Sequence, residues 1–438
     1  MPEYMAGKRK CQKGIPGCQS TWRERGNMRN VELLVPASSL EVLKIAVVFG
    51  ADAVYIGGEA FGLRAKAKNF SREDMKAGIA FAHEYGAKVY VTVNILAHNA
   101  DLEGVREYLY ELKEMKPDAL IIADPGIFTY AREICPEIEC HISTQANNTN
   151  YETYLFWHRL GAKRVVTARE LSLKEIREIR EHIPKDMEIE TFIHGAMCIS
   201  YSGRCLLSSF LAGRDANRGA CTHPCRWKYS VVEEKRPGEY MPVFENERGT
   251  FIFNSKDLCM IEHMDDILTS GIDSLKIEGR MKTALYVATV ARTYRKAIDD
   301  YLESPEKYKA NMDWYKNQIS NCTYRQFTTG FFYGKPDEDA QIYDSNTYVK
   351  EYTYLGYAEE VDEKGLVHIT QRNKFTVGEN IEVMKPDGTD LTVTVKAIYD
   401  GDGKSVESAP HPQQKLTVDL GVKVEKYDLL RRAEAQSE

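Results

Sequence analysis

Short β-branched and aliphatic runs alternate with amphipathic helical stretches from Val31 onward, which is the pattern of a parallel sheet covered by helices. Eight strands are predicted, at residues 31–36, 53–57, 88–94, 119–124, 138–143, 164–168, 188–194 and 273–278. Helical periodicity fills most of the gaps, for example at residues 71–86, 101–116, 148–160, 172–182 and 283–302. Eight strand–helix units over residues 30–302 match a (β/α)8 TIM-like barrel.

Two further patterns bear on this assignment. Ser71 with Asp74, and Ser172 with Glu175, have the three-residue spacing of helix N-terminal caps. A doubly wound sheet is the alternative fold, but no G-x-G-x-x-G sequence opens the first strand–helix turn, as a dinucleotide-binding fold requires. The barrel is therefore the predicted fold.

The pattern changes near residue 350, where alternation without helices begins. Turns such as Pro386–Gly388 separate six alternating runs, at residues 352–361, 365–372, 379–384, 391–399, 414–420 and 427–432. We predict an all-β C-terminal domain over residues 350–434, an antiparallel barrel or sandwich. Residues 303–349, which are rich in Tyr and Lys, are predicted to be a helical connector.

Residues 1–29 differ from the rest in composition, with seven basic residues against two acidic ones. They lack the apolar segment of a secretory signal, so we expect a disordered basic tail, with a nucleic-acid-binding arm as the alternative. The best apolar stretch of the chain, Ile45 to Gly58, is interrupted by Asp52, so no membrane span is predicted.

The 438 residues carry 58 Lys and Arg against 65 Asp and Glu, a formal net charge of −7. This net negative charge argues against a protein that coats nucleic acid through its overall charge. If the protein binds nucleic acid, it must do so through a local basic patch. Ten cysteines are too sparse for a disulfide scaffold in a chain of this length. We therefore expect a cytoplasmic protein.

Polar residues stand at or just past the end of the predicted strands, where a TIM-like barrel keeps its active site. They are Arg64, Asn94, His98, Asp124, Gln145, Asn147, Arg169, Glu170, His194, Lys276, Glu278 and Arg280. Each residue taken alone could serve an ordinary structural purpose, such as a turn or a surface ion pair. The stronger indication of an active site is that polar residues recur at one strand end after another. We take His194, Glu278 and Asp124 as catalytic candidates and the others, apart from Glu170, as substrate-binding candidates.

Several of these candidates are cations that converge on one end of the barrel. Arg64, Arg169, Lys276 and Arg280 predict an anionic ligand, because a guanidinium fork can hold a carboxylate or phosphate through two hydrogen bonds. A second group after the last barrel strand is a candidate phosphate-binding face, or simply a solvated helix face: Arg280, Lys282, Arg292, Arg295 and Lys296.

Four cysteines lie within 28 residues after the seventh strand, with the spacing C-x6-C-x15-C-x3-C: Cys198, Cys205, Cys221 and Cys225. They belong to a Gly-, Ser- and Arg-rich loop over residues 195–230, and a loop of this length in a compact barrel usually has a function. The spacing favours an iron–sulfur cluster, with a zinc ion or ordinary thiols as alternatives. Cys135, Cys140, Cys259 and Cys322 are interpreted as buried or incidental thiols.

The loop sequence ETFIHGAMCISYSGRC, followed by NRGACTHPCRW, resembles the signature of the collagenase-like peptidases, unassigned-type peptidase family thirty-two. The resemblance extends over nearly the whole chain after the tail, through ELLVPA (32–37), GADAVYIGG (50–58), VNILAHNA (93–100), DALIIADPG (118–126) and SLKIEGRMK (274–282). Within the family, the chain is most similar to the prephenate-dependent tRNA uridine 5-hydroxylases.

The resemblance implies hydroxylation of the wobble uridine in the tRNA anticodon loop to 5-hydroxyuridine, with prephenate as co-substrate. It also implies that the four loop cysteines hold an iron–sulfur cluster, 4Fe-4S being the expected type. The alternatives are an rRNA pyrimidine hydroxylase and a peptidase, although the sequence contains neither H-E-x-x-H nor G-x-S-x-G. The oligomeric state stays open and includes a homo-oligomer or a heterodimer with a shorter paralogue.

Overall fold

The computed structural model describes residues 31–58, 61–62, 69–198, 200–227, 230–232, 240–242, 255–322, 326–336 and 352–434. The predicted tail at residues 1–29 therefore lies outside the described residues. Two compact units divide the described chain. The first comprises residues 30–83 and 87–351, and the second comprises the segment from residue 352 onward with residues 84–86.

Twelve strands are described in the first unit, and eight of them coincide closely with the eight predicted runs. The twelve strands are β1 (Glu32–Pro36), β2 (Ala53–Gly57), β3 (Lys88–Val93), β4 (Ala119–Ile122), β5 (Glu139–Ile142), β6 (Arg164–Val166), β7 (Glu188–Gly195), β8 (Ser230–Val232), β9 (Tyr240–Pro242), β10 (Asp257–Cys259), β11 (Ser274–Ile277) and β12 (Phe327–Thr328).

Strands β1 to β7 pair in sequence order as a parallel sheet, and β11 pairs in parallel with both β1 and β7. Leu33 of β1 lies opposite Leu275 of β11, and Thr191 of β7 lies opposite the same residue from the other side. Because β11 joins the two edges, the sheet closes and no barrel edge remains unpaired. The predicted eight-stranded TIM-like barrel is confirmed.

Six helices connect successive strands from β1 to β7, as predicted, and five more are described after β7. They are α1 (Leu40–Val48), α2 (Arg72–Glu84), α3 (Val105–Met115), α4 (Pro125–Ile134), α5 (Tyr151–Arg159), α6 (Leu173–His182), α7 (Leu207–Ala212), α8 (Met264–Leu268), α9 (Ala284–Glu303), α10 (Pro305–Ala310) and α11 (Met312–Ser320). None of the helices in the described ranges is long and apolar enough to cross a lipid bilayer.

The predicted caps set where two of these helices begin. The Ser172 hydroxyl accepts a hydrogen bond from the Glu175 backbone N–H at 3.3 Å, and the Glu175 carboxylate accepts one from the Ser172 N–H at 2.8 Å. This capping box satisfies two backbone donors that the first turn of α6 would leave unpaired. The Ser71 hydroxyl likewise accepts from the Asp74 N–H at 3.1 Å, just before α2.

A long insertion separates the last two barrel strands. After β7 the chain forms α7, the β8–β9 hairpin and β10 before it returns to the barrel as β11. Strand β10 runs antiparallel to the end of β7, where Cys259 lies opposite His194. The insertion begins at the carboxyl end of β7, so it lies at the mouth where a TIM-like barrel places its active site.

Buried charges fill part of the barrel interior. The Arg164 guanidinium, 3% exposed, donates to carboxylate oxygens of Glu32 at 2.6 Å, Glu188 at 2.6 Å and Glu190 at 3.0 Å. Burial alone would raise the pKa of Glu32, but Arg164 and a hydrogen bond from Tyr90 outweigh it and lower the pKa to about 2. The Glu32 carboxylate therefore remains ionised beside the Arg164 guanidinium.

The second unit contains nine strands, β13 (Tyr352–Tyr357), β14 (Glu360–Val361), β15 (Val367–Thr370), β16 (Asn380–Met384), β17 (Asp390–Thr394), β18 (Ala397–Tyr399), β19 (Ser405–Val406), β20 (Lys415–Asp419) and β21 (Leu429–Ala433). They form two antiparallel sheets, in the orders β13-β21-β16-β17 and β14-β15-β20-β18-β19. The predicted all-β C-terminal region is confirmed.

Two of the predicted runs in this unit each contain two strands that belong to different sheets. Within residues 391–399, the Val395 N–H donates to the Glu379 carbonyl and the next N–H, of Lys396, donates to the Asp419 carbonyl. The backbone therefore changes its hydrogen-bonding sheet between two adjacent residues. Residues 352–361 divide in the same way, between β13 and β14.

We expect Arg164→Leu to lower the free energy of unfolding at neutral pH by about 3–5 kcal/mol, because three carboxylates lose the buried cation that they share. Urea denaturation monitored by circular dichroism measures this loss. Arg177→Leu is the matched control, since Arg177 is 44% exposed and pairs with Asp266 at 3.3 Å on the surface. The control should lose at most about 1 kcal/mol, and an equal loss in both variants would contradict the role of the cluster.

Candidate functional site

A cavity of about 380 Å³ opens at the carboxyl ends of the barrel strands, beneath the loop that follows β7. Its size falls in the range of small-molecule sites. The wall contains six of the predicted strand-end residues and all four loop cysteines: Asn94, Gln145, Arg169, Lys276, Glu278, Arg280, Cys198, Cys205, Cys221 and Cys225. The structure thus gathers these ten residues around one space.

Two glycines let the loop approach the barrel closely. Gly195 ends β7 at φ 109°, and a Cβ there would lie 2.6 Å from the Glu278 carbonyl oxygen. Gly203 has φ 72°, and a Cβ there would lie 2.6 Å from the Gln145 side-chain oxygen and 3.0 Å from its carbonyl oxygen. Both positions therefore require glycine for conformation and for space.

Side chains of the barrel hold the loop in place. The Arg169 guanidinium donates to the Ala196 carbonyl at 2.8 Å, directly after the end of β7. The Asn147 amide donates to the Ser202 carbonyl at 2.6 Å. Within the loop, the Asn217 amide donates to the Cys205 carbonyl at 3.2 Å. These bonds fix the backbone on both sides of the first two cysteines.

The four loop cysteines are not joined by disulfides in the described part of the chain, and Cys198 and Cys221 are exposed whereas Cys205 and Cys225 are half-buried. The Cys221 sulfur accepts a hydrogen bond from the His223 N–H at 3.3 Å. Four thiols around one cavity are a donor set suited to a metal group that binds thiolates. Within the described ranges, no three His, Cys, Asp or Glu side chains lie close enough together to hold a single metal ion.

The other described cysteines differ in their surroundings. Cys135, Cys140 and Cys322 are buried and Cys259 is half-buried. Burial raises the pKa of Cys135 and Cys259 to about 11 and that of Cys140 and Cys322 to about 12. These four thiols remain protonated at neutral pH, as is typical of structural cysteines.

Lys276 is a buried cation in the wall of the cavity. Its ammonium donates to the Glu190 carboxylate at 2.7 Å and lies 4.4 Å from the centre of the Tyr55 ring. Burial lowers the pKa of Lys276, and the Glu190 carboxylate opposes that effect. Because the same carboxylate binds Arg164, Lys276 is linked directly to the charged cluster of the barrel interior.

Arg280 and Thr92 form a second polar part of the wall. The Arg280 guanidinium donates to the Thr92 hydroxyl oxygen at 2.7 Å, and that hydroxyl donates to the Ile56 carbonyl at 3.1 Å. A Cβ on Gly57 would lie 2.7 Å from the Arg280 guanidinium, so the glycine leaves the space that Arg280 occupies. Thr92 therefore orients a guanidinium that borders the cavity.

Arg169 is held by packing and by one hydrogen bond. Its guanidinium lies 4.2 Å from the centre of the Phe192 ring, in addition to its bond to the Ala196 carbonyl. Several buried polar atoms have no hydrogen-bond partner among the described residues. They include the Arg169 Nε, the Arg214 Nε and the side-chain oxygen of Gln145. All three residues line the cavity, where a polar ligand can satisfy such groups.

Two of the three catalytic candidates lie outside the cavity wall. His194 is 1% exposed, and its Nδ1 lies 3.3 Å from the hydroxyl of Tyr294. Asp124 caps α4, where its carboxylate accepts from the N–H groups of Gly126 at 2.8 Å and Ile127 at 3.0 Å. The third candidate, Glu278, lies in the wall.

The remaining candidates occupy other positions. His98 is exposed, and its N–H donates to the Asp101 carboxylate at 2.8 Å. Asn147 and Glu170 are half-buried and are not among the wall residues in the described ranges. Arg64 lies outside the described residues. The catalytic and binding roles assigned from the sequence remain predictions.

The basic face predicted from Arg280, Lys282, Arg292, Arg295 and Lys296 is wrong, because most of these charges are used within the fold. Arg292 is buried and donates to the Gln318 side-chain oxygen at 2.5 Å. Arg295 pairs with Asp52 at 2.8 Å, and Lys296 pairs with Asp300 at 2.9 Å. Helix α9 packs against α1, α10 and α11, so one side of it cannot face solvent.

Sequence reasoning missed Thr92, Tyr55, Phe192 and Arg214 as parts of the wall. The first three lie within strands rather than after them, so a search of strand ends passes over them. Period-two alternation assigns them to one face of a strand but does not distinguish the barrel interior from a ligand cavity. Arg214 stands in the cysteine loop, where only the spacing of the cysteines had been considered.

Comparison with known proteins identifies two family matches. The sequence profile described as peptidase family U32 matches residues 38–342, and the profile of the peptidase family U32 C-terminal domain matches residues 350–431. The first match alone covers more than half of the chain, and the two meet near the boundary between the structural units.

Similar proteins have been named in several bacteria. "tRNA hydroxylation protein P1" of Bacillus subtilis (strain 168) is 42% identical over 92% of this chain and 94% of its own length. "tRNA hydroxylation protein P" of Escherichia coli (strain K12) is 39% identical over 86% of this chain and 91% of its own length. "23S rRNA 5-hydroxycytidine C2501 synthase" of Escherichia coli (strain K12) is 33% identical over 86% of this chain but only 52% of its own length.

The buried His194 generates a prediction about pH. Burial, with a further contribution from Lys282, lowers its pKa from 6.5 to about 3. Between these pH values the unfolded chain binds a proton that the folded chain does not, so stability falls as the pH is lowered through this window. His194→Phe keeps a ring of similar size and removes this dependence, which amounts to about 1.4 kcal/mol per pH unit.

Urea denaturation of wild type and His194→Phe at several pH values between 7 and 4 measures the difference in slope. The variant should lose less stability than wild type on acidification, whatever its stability at neutral pH. Parallel curves for the two proteins would contradict a neutral, buried His194.

Proposed function

The chain belongs to the peptidase U32 family, and on that premise we propose that it is a tRNA-modifying enzyme that hydroxylates the wobble uridine at C5, with prephenate as co-substrate. Two relatives that match most of its length, and most of their own, are named tRNA hydroxylation proteins. The observation that carries the proposal is the cavity in which four thiols and three cationic side chains, Arg169, Lys276 and Arg280, line the same space.

The cationic part of the wall suits a dicarboxylate such as prephenate. Lys276 already has Glu190 as a counter-ion at 2.7 Å, so its charge is largely balanced within the protein. Arg169 has no carboxylate within ion-pair distance in the described part of the chain, and the Arg280 guanidinium lines the cavity, where the Thr92 hydroxyl orients it. The two guanidinium groups are therefore the preferred carboxylate ligands, since each can donate two parallel hydrogen bonds.

The four thiols Cys198, Cys205, Cys221 and Cys225 would hold the iron–sulfur cluster, which is the group that supplies redox or Lewis-acid chemistry when it is bound. The chain's own contribution is to anchor the loop. Arg169, Asn147 and Asn217 fix the backbone near the first two thiols through the bonds described above.

A uridine base reaches such a cavity only if it leaves its stack. Bases of an anticodon loop are partly unstacked already, so the cost of splaying one out is small. Polar groups that would recognise the base are available in the wall, where Asn94 donates to Ser143 at 3.2 Å and Gln145 has a buried oxygen without a described partner. These residues would read the polar edge of the pyrimidine ring.

The deciding experiment is nucleoside mass spectrometry of tRNA from cells that lack this gene, grown where no oxygen-dependent route to the same modification operates. The 5-hydroxyuridine-derived wobble nucleosides should disappear and return with the wild-type gene. Full retention of these nucleosides would overturn the proposal. Loss of a hydroxylated rRNA pyrimidine instead would establish the rRNA alternative, and hydrolysis of gelatin by the pure protein would establish the peptidase.

A first variant tests the thiols. Cys221→Ser should abolish both the visible absorption and the bound iron of anaerobically purified protein, together with wobble hydroxylation, because one of the four thiolate ligands is lost. Cys135→Ala is the matched control, since its buried thiol has a raised pKa and lies outside the cavity wall. Colourless wild-type protein containing zinc would contradict the assignment of an iron–sulfur cluster.

A second set of variants tests the guanidinium groups. Arg169→Leu and Arg280→Leu should each raise the prephenate concentration needed for half-maximal modification about 10- to 100-fold, as expected for loss of a charged hydrogen bond. Thr92→Val should have a smaller effect, because it keeps the Arg280 charge and removes only the acceptor that orients it. Unchanged prephenate dependence in both arginine variants, with iron content retained, would contradict this binding site.

A further inference from the structure

Helix α7, in the cysteine loop, is apolar on the side that faces solvent. Its sequence is LSSFLA, and its only buried residue is the polar Ser208. Phe210 is 88% exposed, and Leu211 and the preceding Leu206 are exposed as well. A helix that serves only the fold buries its apolar side chains, which stabilises it by about 1.5–3 kcal/mol for each large one. Helix α7 leaves that stabilisation unused.

Exposed apolar side chains are concentrated around this helix. Twelve large apolar side chains are exposed in the described ranges, and half of them belong to the loop or its neighbour in space: Tyr201, Leu206, Phe210, Leu211, Trp227 and Met281. We call these six residues the apolar rim. Single exposed apolar residues are ordinary, whereas a contiguous group marks an interaction surface.

The apolar rim reaches the cavity at two of its residues, and packing and a hydrogen bond hold its helix against the rest of the loop. Tyr201 and Met281 line the cavity and are also exposed at its mouth. Helix α7 packs against the short turn Pro224–Arg226, which Trp227 follows directly. The Ser208 hydroxyl accepts from the Thr222 N–H at 3.1 Å, which ties α7 to the residue after Cys221. The rim therefore borders the entrance to the cavity.

The charge of the loop contrasts with that of the chain. Residues 196–227 contain four arginines and one aspartate, whereas the whole chain has a formal net charge of −7. Arg204 is exposed, and Arg214 lines the cavity. A cationic, aromatic surface on an acidic protein favours an anionic partner that also presents flat apolar faces. Single-stranded RNA has both properties, because its phosphates are anionic and its unstacked bases are aromatic.

We propose that the apolar rim is a stacking platform for the unpaired bases that flank the target nucleotide of the RNA, with Phe210 as its principal contact. This inference rests on the proposed function, because it assumes that an RNA loop delivers its base to the cavity. A flanking base stacks on Phe210, Arg204 approaches the neighbouring phosphates, and the target nucleotide turns past Tyr201 and Met281 into the cavity. The platform explains why the loop exposes rings at the rim instead of burying them.

The test measures binding of a fluorescent anticodon stem-loop RNA to the full-length, anaerobically purified protein by anisotropy. Phe210→Ala should weaken binding about tenfold or more, as expected for loss of one stacked base. Phe210→Trp should bind as well as wild type, because it keeps an aromatic face. Phe210→Leu should bind nearly as weakly as Phe210→Ala, because it keeps apolar area without a face for stacking.

Tyr110→Ala is the matched control, since Tyr110 is also exposed but belongs to helix α3 on the outside of the barrel. Its RNA affinity should equal that of wild type. Thermal unfolding and iron content should be unchanged in all Phe210 variants, because the side chain is almost fully exposed. A loss of RNA affinity can then be assigned to the surface itself.

The outcomes separate the two proposals. If wild type binds and modifies the RNA and Phe210→Ala does so equally well, the stacking platform is refuted while the proposed function stands. If Phe210→Leu binds like wild type, the contact is generic apolar burial and stacking is refuted. If Phe210→Ala instead dissociates a wild-type dimer in analytical ultracentrifugation without changing RNA affinity, the rim is a contact between copies. If wild type binds no RNA, the proposed function fails and the platform with it.

Discussion

The Glu190 carboxylate links the interior of the barrel to the candidate site. It accepts hydrogen bonds from Arg164 at 3.0 Å and from Lys276 at 2.7 Å, and it is fully buried. A buried cation is costly unless it is paired, so Lys276 can stand in the cavity wall only because Glu190 lies next to it. The barrel thus holds a charge at the cavity through a chain of ion pairs that reaches Glu32.

The candidate site combines two structural sources with different rigidity. Arg169, Lys276 and Arg280 come from barrel strands or from the segments directly after them, whereas the thiols and Arg214 come from the insertion after β7. Because Gly195 and Gly203 let that insertion press against the strand ends, the two groups share one cavity. A loop that is anchored to a barrel suits a site that must accept both a small molecule and a larger substrate.

Local patterns predicted most of the barrel because its strands and helices are short, regular and separated by clear turns. Strand β2 occupies the predicted residues 53–57, and the cap at Ser172 was visible as a three-residue spacing. The all-β unit was harder, because the alternation of residues 391–399 continues while the chain passes from one sheet to the other. Alternation reports an extended backbone with two faces, and it carries no information about which strand becomes the partner.

The sequence by itself determined the barrel, the all-β unit and the grouping of four cysteines in one loop, because each depends on periodicity or on spacing along the chain, and its resemblance to known proteins identified the family. Only the tertiary structure decided which polar residues share the cavity. Asp124 follows a strand, as a site residue would, yet it caps α4, whereas Thr92 lies inside a strand and orients Arg280. The direction of a side chain depends on partners far away in sequence, and the folded barrel alone brings those partners together.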